Sequence, residues 1–203
     1  MEHGDYRIRL GKLSDMAGVE ALYSAVHDAV EAGPNYSGWK RGWYPTPEIA
    51  RDGIEAGEFY VLEIGGEIAG TAVLNHEQPE AYSTLTWGIP AQGEEILLVH
   101  TLAVHPAFRG QGIAGELLAF AERLACQKKC KCIRFDTSSK NLPAIHCYES
   151  RGYRFVGVVD LGLNIPGHEL FRCYEKAGFR IVGEPIQQTT SIGEGAFYHM
   201  VRR

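Results

Sequence analysis

The order of strand and helix patterns along the chain predicts an α/β or α+β sandwich, in which helices cover a sheet. Two observations carry this prediction. Short apolar or alternating runs are separated by segments that have apolar residues at helical spacing. The glycine pair Gly65 and Gly66 joins two of the apolar runs, as in a tight hairpin.

The elements can be assigned in chain order from periodicity and from cap and turn residues. In the first half they are a strand over 6–10, a helix over 15–30, a helix over 47–56, and strands over 59–64 and 68–74. An irregular section over 76–93 follows. In the second half they are a strand over 95–104, a helix over 113–124, a strand over 133–136, a helix over 141–151 and a strand over 154–161.

The end of the chain contains an internal repeat. CYESRGYRFVG at 147–157 recurs as CYEKAGFRIVG at 173–183. The second copy is either a duplicated helix and strand or a strand over 169–175 with coincident letters. We favour the strand, because ELFRCYE alternates, although FYHMVRR at 197–203 is also a candidate for the last strand. The tail from about 177 is therefore the least defined part of the sequence.

Composition limits the classes of function. We expect one domain over 1–203, because no linker divides the chain. The net charge of −5 and the lack of charged blocks argue against nucleic acid and anionic membranes as partners. No apolar stretch is long enough for a membrane span, and the start lacks an apolar secretion segment, so we expect a cytoplasmic protein. The cysteine cluster CxxxCxC at 126–132 lacks a fourth metal ligand, so we expect reduced thiols and no metal.

A glycine-rich turn is the strongest motif in the chain. Residues 109–114 read RGQGIA and connect the strand over 95–104 to the helix over 113–124. The first amides of a helix lack partners, and the helix dipole places about half a positive charge there. Because Gly110 and Gly112 have no side chains, the backbone can approach a ligand closely. The turn therefore predicts a seat for a diphosphate.

A nicotinamide-type dinucleotide fold is the rival interpretation of this turn. Gly110, Gly112 and Gly115 spell GxGxxG, and Asp136 follows about 20 residues later. In that fold, however, the strand leads directly into the first glycine near the start of the domain. Here residues 105–109, including a proline, intervene, and about half the chain precedes the motif. We therefore favour another diphosphate ligand.

The segments LLVHTLAVHPAFRGQGIAGELL and IRFDTSSKNLPAIHCYESRGYRFVG resemble the acetyl-coenzyme A binding core of the GNAT superfamily of N-acetyltransferases. Arg109, Gly112 and Ala114 match the family motif Q/R-x-x-G-x-G/A in order. The resemblance is close over about 96–160. It implies a mixed, mostly antiparallel central sheet flanked by helices, with acetyl-CoA as acyl donor, an amine as acceptor and no metal.

The resemblance also implies roles for individual residues. The backbone of residues 102–104 would bind the pantetheine arm, with the Val104 amide facing the thioester oxygen. Residues 109–114 would hold the diphosphate, and Asn141 would contact the arm. The residues assigned to the cofactor are Leu102, Ala103, Val104, Arg109, Gly110, Gln111, Gly112, Ile113, Ala114, Asn141 and Ala144.

The resemblance implies that Tyr148 is the general acid for the departing thiolate, and Tyr174 in the second copy is its competitor. The base is less defined, and Glu95 and His100 are the candidates. Counting by twos from Val104 predicts that His100 and Leu102 share its face and that Glu95 lies on the other.

Four aromatic residues in connections are candidates for the acceptor site, although they could instead cover the core. They are Trp39, Tyr44, Tyr82 and Trp87. Together these features predict an N-acetyltransferase that works by direct attack in a ternary complex. The alternative is a non-catalytic module that binds and senses acyl-CoA. The sequence leaves the oligomeric state open, a homodimer included.

Overall fold

The computed structural model describes residues 6–179. Seven strands in these residues form one sheet in the order β1-β2-β3-β4-β5-β7-β6, and only the β4–β5 pair is parallel. The strands are β1 Tyr6–Leu10, β2 Phe59–Ile64, β3 Glu67–Asn75, β4 Ile96–Val104, β5 Cys132–Ser138, β6 Arg154–Val159 and β7 Phe171–Ala177. The α-helices are α1 Met16–Glu31, α2 Pro47–Glu55, α3 Ile113–Gln127 and α4 Leu142–Glu149. The predicted mixed, mostly antiparallel sheet flanked by helices is confirmed.

The two faces of the sheet carry different helices. On one face α3 packs its apolar side against alternate residues of the central strands, such as Leu62, Leu97 and Phe135. The opposite face is covered by α1 and α2 and, further along, by the irregular section over 76–93. Because strand residues alternate between faces, this division indicates which side of the sheet each residue of the site occupies.

Most predicted element bounds differ from the structure by one to three residues. The hairpin between β2 and β3 turns at Gly65 and Gly66, whose φ angles of +57° and +86° suit the tight turn that a glycine pair favours. The largest difference is that α3 continues to Gln127, three residues beyond its predicted end.

The parallel pair at the centre of the sheet is short. β4 and β5 pair with each other only from Ile96–Cys132 to Leu98–Arg134; beyond that point each continues beside its other neighbour, β3 or β7. Beyond Leu98, the backbone of β4 therefore has no partner among the described strands on the edge that faces β5. This gap forms the candidate site.

A bulge in β4 overturns one prediction. Thr71 of β3 pairs with Ala103 and Val73 pairs with His100, so two residues of β4 lie opposite one of β3. Thr101, at the bulge, has φ of +49°. The alternation therefore inverts between His100 and Leu102, and the prediction that these two residues share a face is wrong.

The repeated tail segment forms a strand. β7 pairs with both β5 and β6, so the second copy is not a duplicated helix and strand over the residues that the structure describes. The candidate FYHMVRR lies outside the described residues. The mostly antiparallel sheet also excludes the doubly wound parallel fold of the dinucleotide interpretation.

Within residues 6–179, no helix is both long enough and apolar enough to cross a membrane. All five cysteines are unpaired.

Candidate active site

The turn before α3 presents unpaired amides. Gly112 is the N-cap of α3, with φ of +82°. The amides of Arg109 and Gln111 donate to carbonyls within the turn, at 3.2 and 3.4 Å. Within residues 6–179, no hydrogen bond uses the amides at positions 110 and 112–115 as donors. These five N–H groups lie at the positive end of the helix dipole, so the turn can accept an anion.

An arginine that sequence reasoning did not assign lies over the same turn. A side-chain carbon at Gly115 would lie 1.7 Å from Nη2 of Arg151, so the guanidinium occupies the space that a side chain at position 115 would take. Arg151 follows α4, and its Nη1 donates to the Cys147 carbonyl at 3.3 Å. A positive side chain at the positive end of a helix is unfavourable without an anion. Arg151 therefore adds a second reason to place an anion here.

The edge of β4 next to the gap also has a free donor. The His105 amide donates to the Ala69 carbonyl of β3 at 2.9 Å. Successive amides of a strand point to opposite edges, so the Val104 amide points toward β5. Because β5 no longer pairs at this level, this amide is available to a ligand.

A cavity of about 360 Å³ occupies the gap between β4 and β5. Its lining includes residues from both faces of the sheet. On the α3 face these include Leu102, Leu118, Phe135 and Tyr148; on the other they include Trp39, Tyr44, His100 and Asp136. The cavity therefore passes through the sheet from one face to the other. Of the predicted site residues, it brings together Trp39, Tyr44, His100, Leu102, Asn141 and Tyr148.

Tyr148 lines this cavity from α4. Its ring packs 4.5 Å from that of Phe135, and the residue is 8% exposed. Burial raises the pKa of its phenol well above the ordinary value, so it is protonated at neutral pH. Tyr174 does not line the cavity; its hydroxyl donates to Glu149 Oε1 and accepts from Arg172 Nε, both at 3.0 Å. The geometry favours Tyr148 over Tyr174 as a proton donor.

Asn141 lines the cavity as the N-cap of α4, not from within the helix as expected. Its Oδ1 accepts from the Ala144 amide at 3.4 Å, and its Nδ2 donates to Thr137 Oγ1 at 3.0 Å. These two bonds fix the orientation of the side-chain amide. Ala144 itself packs against the core on the α3 face and does not line the cavity.

The two candidate bases differ in their surroundings. Glu95 precedes β4 on the surface, where it pairs with Lys131 Nζ at 2.6 Å and accepts from the Gln92 amide. These contacts lower its pKa, and it lies outside the cavity, so the geometry gives no support to a role as base. His100 lines the cavity, and burial lowers its pKa, which keeps it neutral at pH 7. Among residues 6–179, its Nε2 has no hydrogen-bond partner.

Of the four aromatic candidates for the acceptor site, two line the cavity. Trp39 and Tyr44 line the cavity, edge to face at 5.8 Å, and Tyr44 Oη lies 2.6 Å from Thr101 Oγ1. Trp43 of the same loop also lines it.

Tyr82 and Trp87 do not line the cavity. Trp87 stacks 4.2 Å from the buried Arg134 guanidinium and donates to the Tyr82 carbonyl at 3.0 Å. Arg134 pairs with Glu175 beneath them at 3.0 Å. Both aromatic side chains pack over this buried ion pair and shield it from solvent, so they belong to the core.

Sequence reasoning missed two features of the cavity. Asp136 was considered only as a dinucleotide ligand, although an acidic residue inside the apolar strand IRFDTS is itself a signal. The second feature is a contact between Ser138 Oγ and His168 Nδ1 at 2.6 Å. The His168 ring also packs against Gly38, so it joins the aromatic loop to the end of β5. No sequence pattern pairs these two residues.

Comparisons with known proteins identify the family of the chain. Residues 22–153 match the model of the acetyltransferase (GNAT) family. A streptothricin acetyltransferase of Escherichia coli is 30% identical over 107 residues, which are 53% of this chain and 53% of that protein. The matched region therefore spans about half the length of that relative.

Solved structures share the fold. An acetyltransferase of the GNAT family from Streptococcus agalactiae has a TM-score of 0.68 at 24% identity, covering 86% of this chain and 96% of its own. The ribosomal-protein-alanine N-acetyltransferase of Brucella melitensis has a TM-score of 0.62 at 20% identity, covering 84% and 98%. The family model matches more than half of the chain, which therefore belongs to the GNAT family of acetyltransferases.

Proposed function

We propose that the protein is an N-acetyltransferase that transfers the acetyl group of acetyl-CoA to an amine by direct attack in a ternary complex. One observation carries the proposal: the cavity crosses the sheet beside a turn of unpaired amides. A donor can enter from the α3 face and an acceptor from the opposite face. Their reacting atoms then meet in the gap between β4 and β5, which is what direct transfer requires.

The donor side follows from the anion seat. Amides 110 and 112–115, with Arg109 and Arg151, would bind the diphosphate, and the edge of β4 from Leu102 to Val104 would pair with the pantetheine arm. The cavity lies close to this seat: Leu118, which lines the cavity, follows Ile113 by five residues of α3, a rise of about 7.5 Å at 1.5 Å per residue. The Val104 amide, pointing into the gap, would polarise the thioester carbonyl.

The chemistry needs a proton for the leaving thiolate and a route for the protons of the amine. As the amine nitrogen attacks the carbonyl carbon, a C–N bond forms and the C–S bond breaks. Tyr148 supplies the proton that the sulfur needs, because its phenol is protonated at neutral pH and lines the cavity. The tyrosinate then recovers a proton from the nitrogen.

The acceptor side supports a small, partly apolar amine. Trp39, Trp43 and Tyr44 offer aromatic surface, and the E. coli relative is named for streptothricin. The Brucella neighbour is instead named for the alanine of a ribosomal protein. A peptide amine is therefore the competing acceptor. A cytoplasmic location and the oligomeric state stay predictions.

A panel of amines with acetyl-CoA tests the proposal. The panel contains alkylamines, diamines, aromatic amines and peptides with free N-termini or lysines, and release of free thiol is measured alongside the mass of the product. We expect an acetylated amine in a one-to-one ratio with thiol. Tight binding of acetyl-CoA without thiol release from any acceptor would instead favour the acyl-CoA sensor.

A further inference from the structure

A carboxylate that no predicted role explains lines the acceptor side of the cavity. Asp136 lies on β5, one residue beyond Phe135 and thus on the sheet face opposite to Tyr148. Its Oδ2 accepts a hydrogen bond from Tyr82 Oη at 2.7 Å. Protein atoms enclose the side chain, yet it keeps some exposed surface because it faces the cavity.

The described chain supplies no countercharge for this carboxylate. Among residues 6–179, no Lys, Arg or His nitrogen lies within 4.0 Å of it. The arginine two residues earlier, Arg134, is already paired with Glu175. Burying a carboxylate without a cation costs folding free energy, and a cationic ligand bound beside it would offset this cost.

The titratable groups around Asp136 are mostly neutral. They are Tyr82 from the irregular section, His100 from β4, Cys173 from β7, Tyr148 from α4 and Tyr44 from the aromatic loop. Burial raises the pKa of Tyr44, Tyr148 and Cys173, and the negative charge of Asp136 raises each of them further. Burial likewise raises the pKa of Asp136, and the Tyr82 hydrogen bond and the nearby His100 oppose this effect.

We infer that Asp136, held by Tyr82, is the residue that binds the ammonium group of the acceptor and takes a proton from it before attack. The inference rests on the proposed function. It restricts the substrate class to amines that arrive as cations beside an apolar or aromatic surface, and it excludes alcohols. Of the three N–H protons of the ammonium, one passes to solvent through Asp136, one ends on the thiol of CoA, and one stays on the amide.

The test compares Asp136→Asn with Asp52→Asn, an isosteric change at an exposed position of α2. For the best acceptor of the amine panel, we expect kcat/KM of Asp136→Asn to fall about 100-fold or more, the usual effect of losing a proton acceptor. We expect the Kd for acetyl-CoA, measured by calorimetry, to stay within about threefold, since Asp136 lies on the opposite face of the sheet. Asp52→Asn should match the wild type in both.

A pH profile separates a proton-transfer role from a merely structural one. The carboxylate acts in its ionised form, so kcat/KM falls as pH drops through its pKa, and Asp136→Asn removes this acid limb. Tyr82→Phe keeps the ring but loses the hydrogen bond that lowers the pKa of Asp136, so it moves the limb to higher pH. This variant also keeps the test decisive if Asp136→Asn folds poorly.

Alcohols of matched length check the substrate class. We expect butylammonium to inhibit acetylation of the best amine, butanol to inhibit far less, and the difference to vanish in Asp136→Asn. Normal turnover by Asp136→Asn, or an acid limb unmoved in both variants and thus due to another group such as His100, overturns the inference but not the acetyltransferase. Absence of turnover in the wild type with every amine overturns both.

Discussion

Replacing Tyr148 by phenylalanine removes the expected proton donor and little else. The ring contacts to Phe135, Tyr153 and Tyr174 survive, because phenylalanine has the same ring. Tyr174→Phe is a matched control, because the same change in the second copy of the repeat removes a hydroxyl that lies outside the cavity. The two variants therefore separate catalysis from stability.

The size of the effect follows from the surroundings of the phenol. General acid catalysis contributes about 10²- to 10⁴-fold. Because burial raises the pKa of Tyr148, while a thiol has a pKa of about 8.5, transfer of its proton is uphill. We expect the low end, a fall in kcat of about 100-fold, or about 2.7 kcal/mol. The Kd for acetyl-CoA should change less than about threefold, because the diphosphate seat is untouched.

For thermal stability we expect the opposite order, with a larger loss in Tyr174→Phe than in Tyr148→Phe. Tyr174→Phe loses hydrogen bonds to Glu149 and Arg172, both half-exposed, so we expect a loss of about 1 kcal/mol and a Tm lower by about 2–4 °C. Tyr148→Phe should melt within about 1 °C of the wild type, since a change of a few tenths of a kcal/mol moves Tm by no more than that. Thiol-release kinetics, calorimetry and thermal melts on both variants test this. Equal kcat values for Tyr148→Phe and the wild type refute the role of Tyr148, and a large loss in Tyr174→Phe reassigns it.

Three further changes test other parts of the account. Gly112→Ala has room for its methyl group but not the φ of +82°, so it should cost about 1–2 kcal/mol and weaken acetyl-CoA binding; thermal melts and calorimetry measure both, and Gly112→Asn should lose less stability. Glu95→Gln should leave kcat within about twofold, and a large loss in thiol release would restore Glu95 as a base. Among the described residues, Arg134→Met leaves buried Glu175 with only the Gly88 and Ile89 amides as donors, so a loss of about 3 kcal/mol is expected by denaturant unfolding, and a neutral result would show that the pair is dispensable.

The anion seat was predictable from sequence because its information is local. A strand, a glycine turn and an amphipathic helix are adjacent in the chain, and the amides that result belong to consecutive residues. The family motif around Tyr148 is local in the same way. Tyr148, the expected general acid, lines the cavity in the structure, while its role stays a prediction.

The acceptor side depends on long-range packing and was less predictable. The bulge at Thr101 could not be predicted, because no glycine marks the position with positive φ. Counting by twos therefore placed His100 on the wrong face of the sheet. Tyr82 and Trp87 lie in a connection and were candidates for the acceptor site, yet they pack over the buried pair of Arg134 and Glu175. The importance of Asp136 depends on a hydrogen bond to a residue 54 positions away.

Amide hydrogen exchange with and without acetyl-CoA tests the central claim most directly. The amides at positions 110 and 112–115 have no partners among the described residues, so without ligand they should exchange rapidly. We predict that acetyl-CoA slows their exchange at least tenfold, whereas S-acetyl-pantetheine, which lacks the diphosphate, leaves it unchanged. Unaltered exchange at these positions under saturating acetyl-CoA would contradict the account.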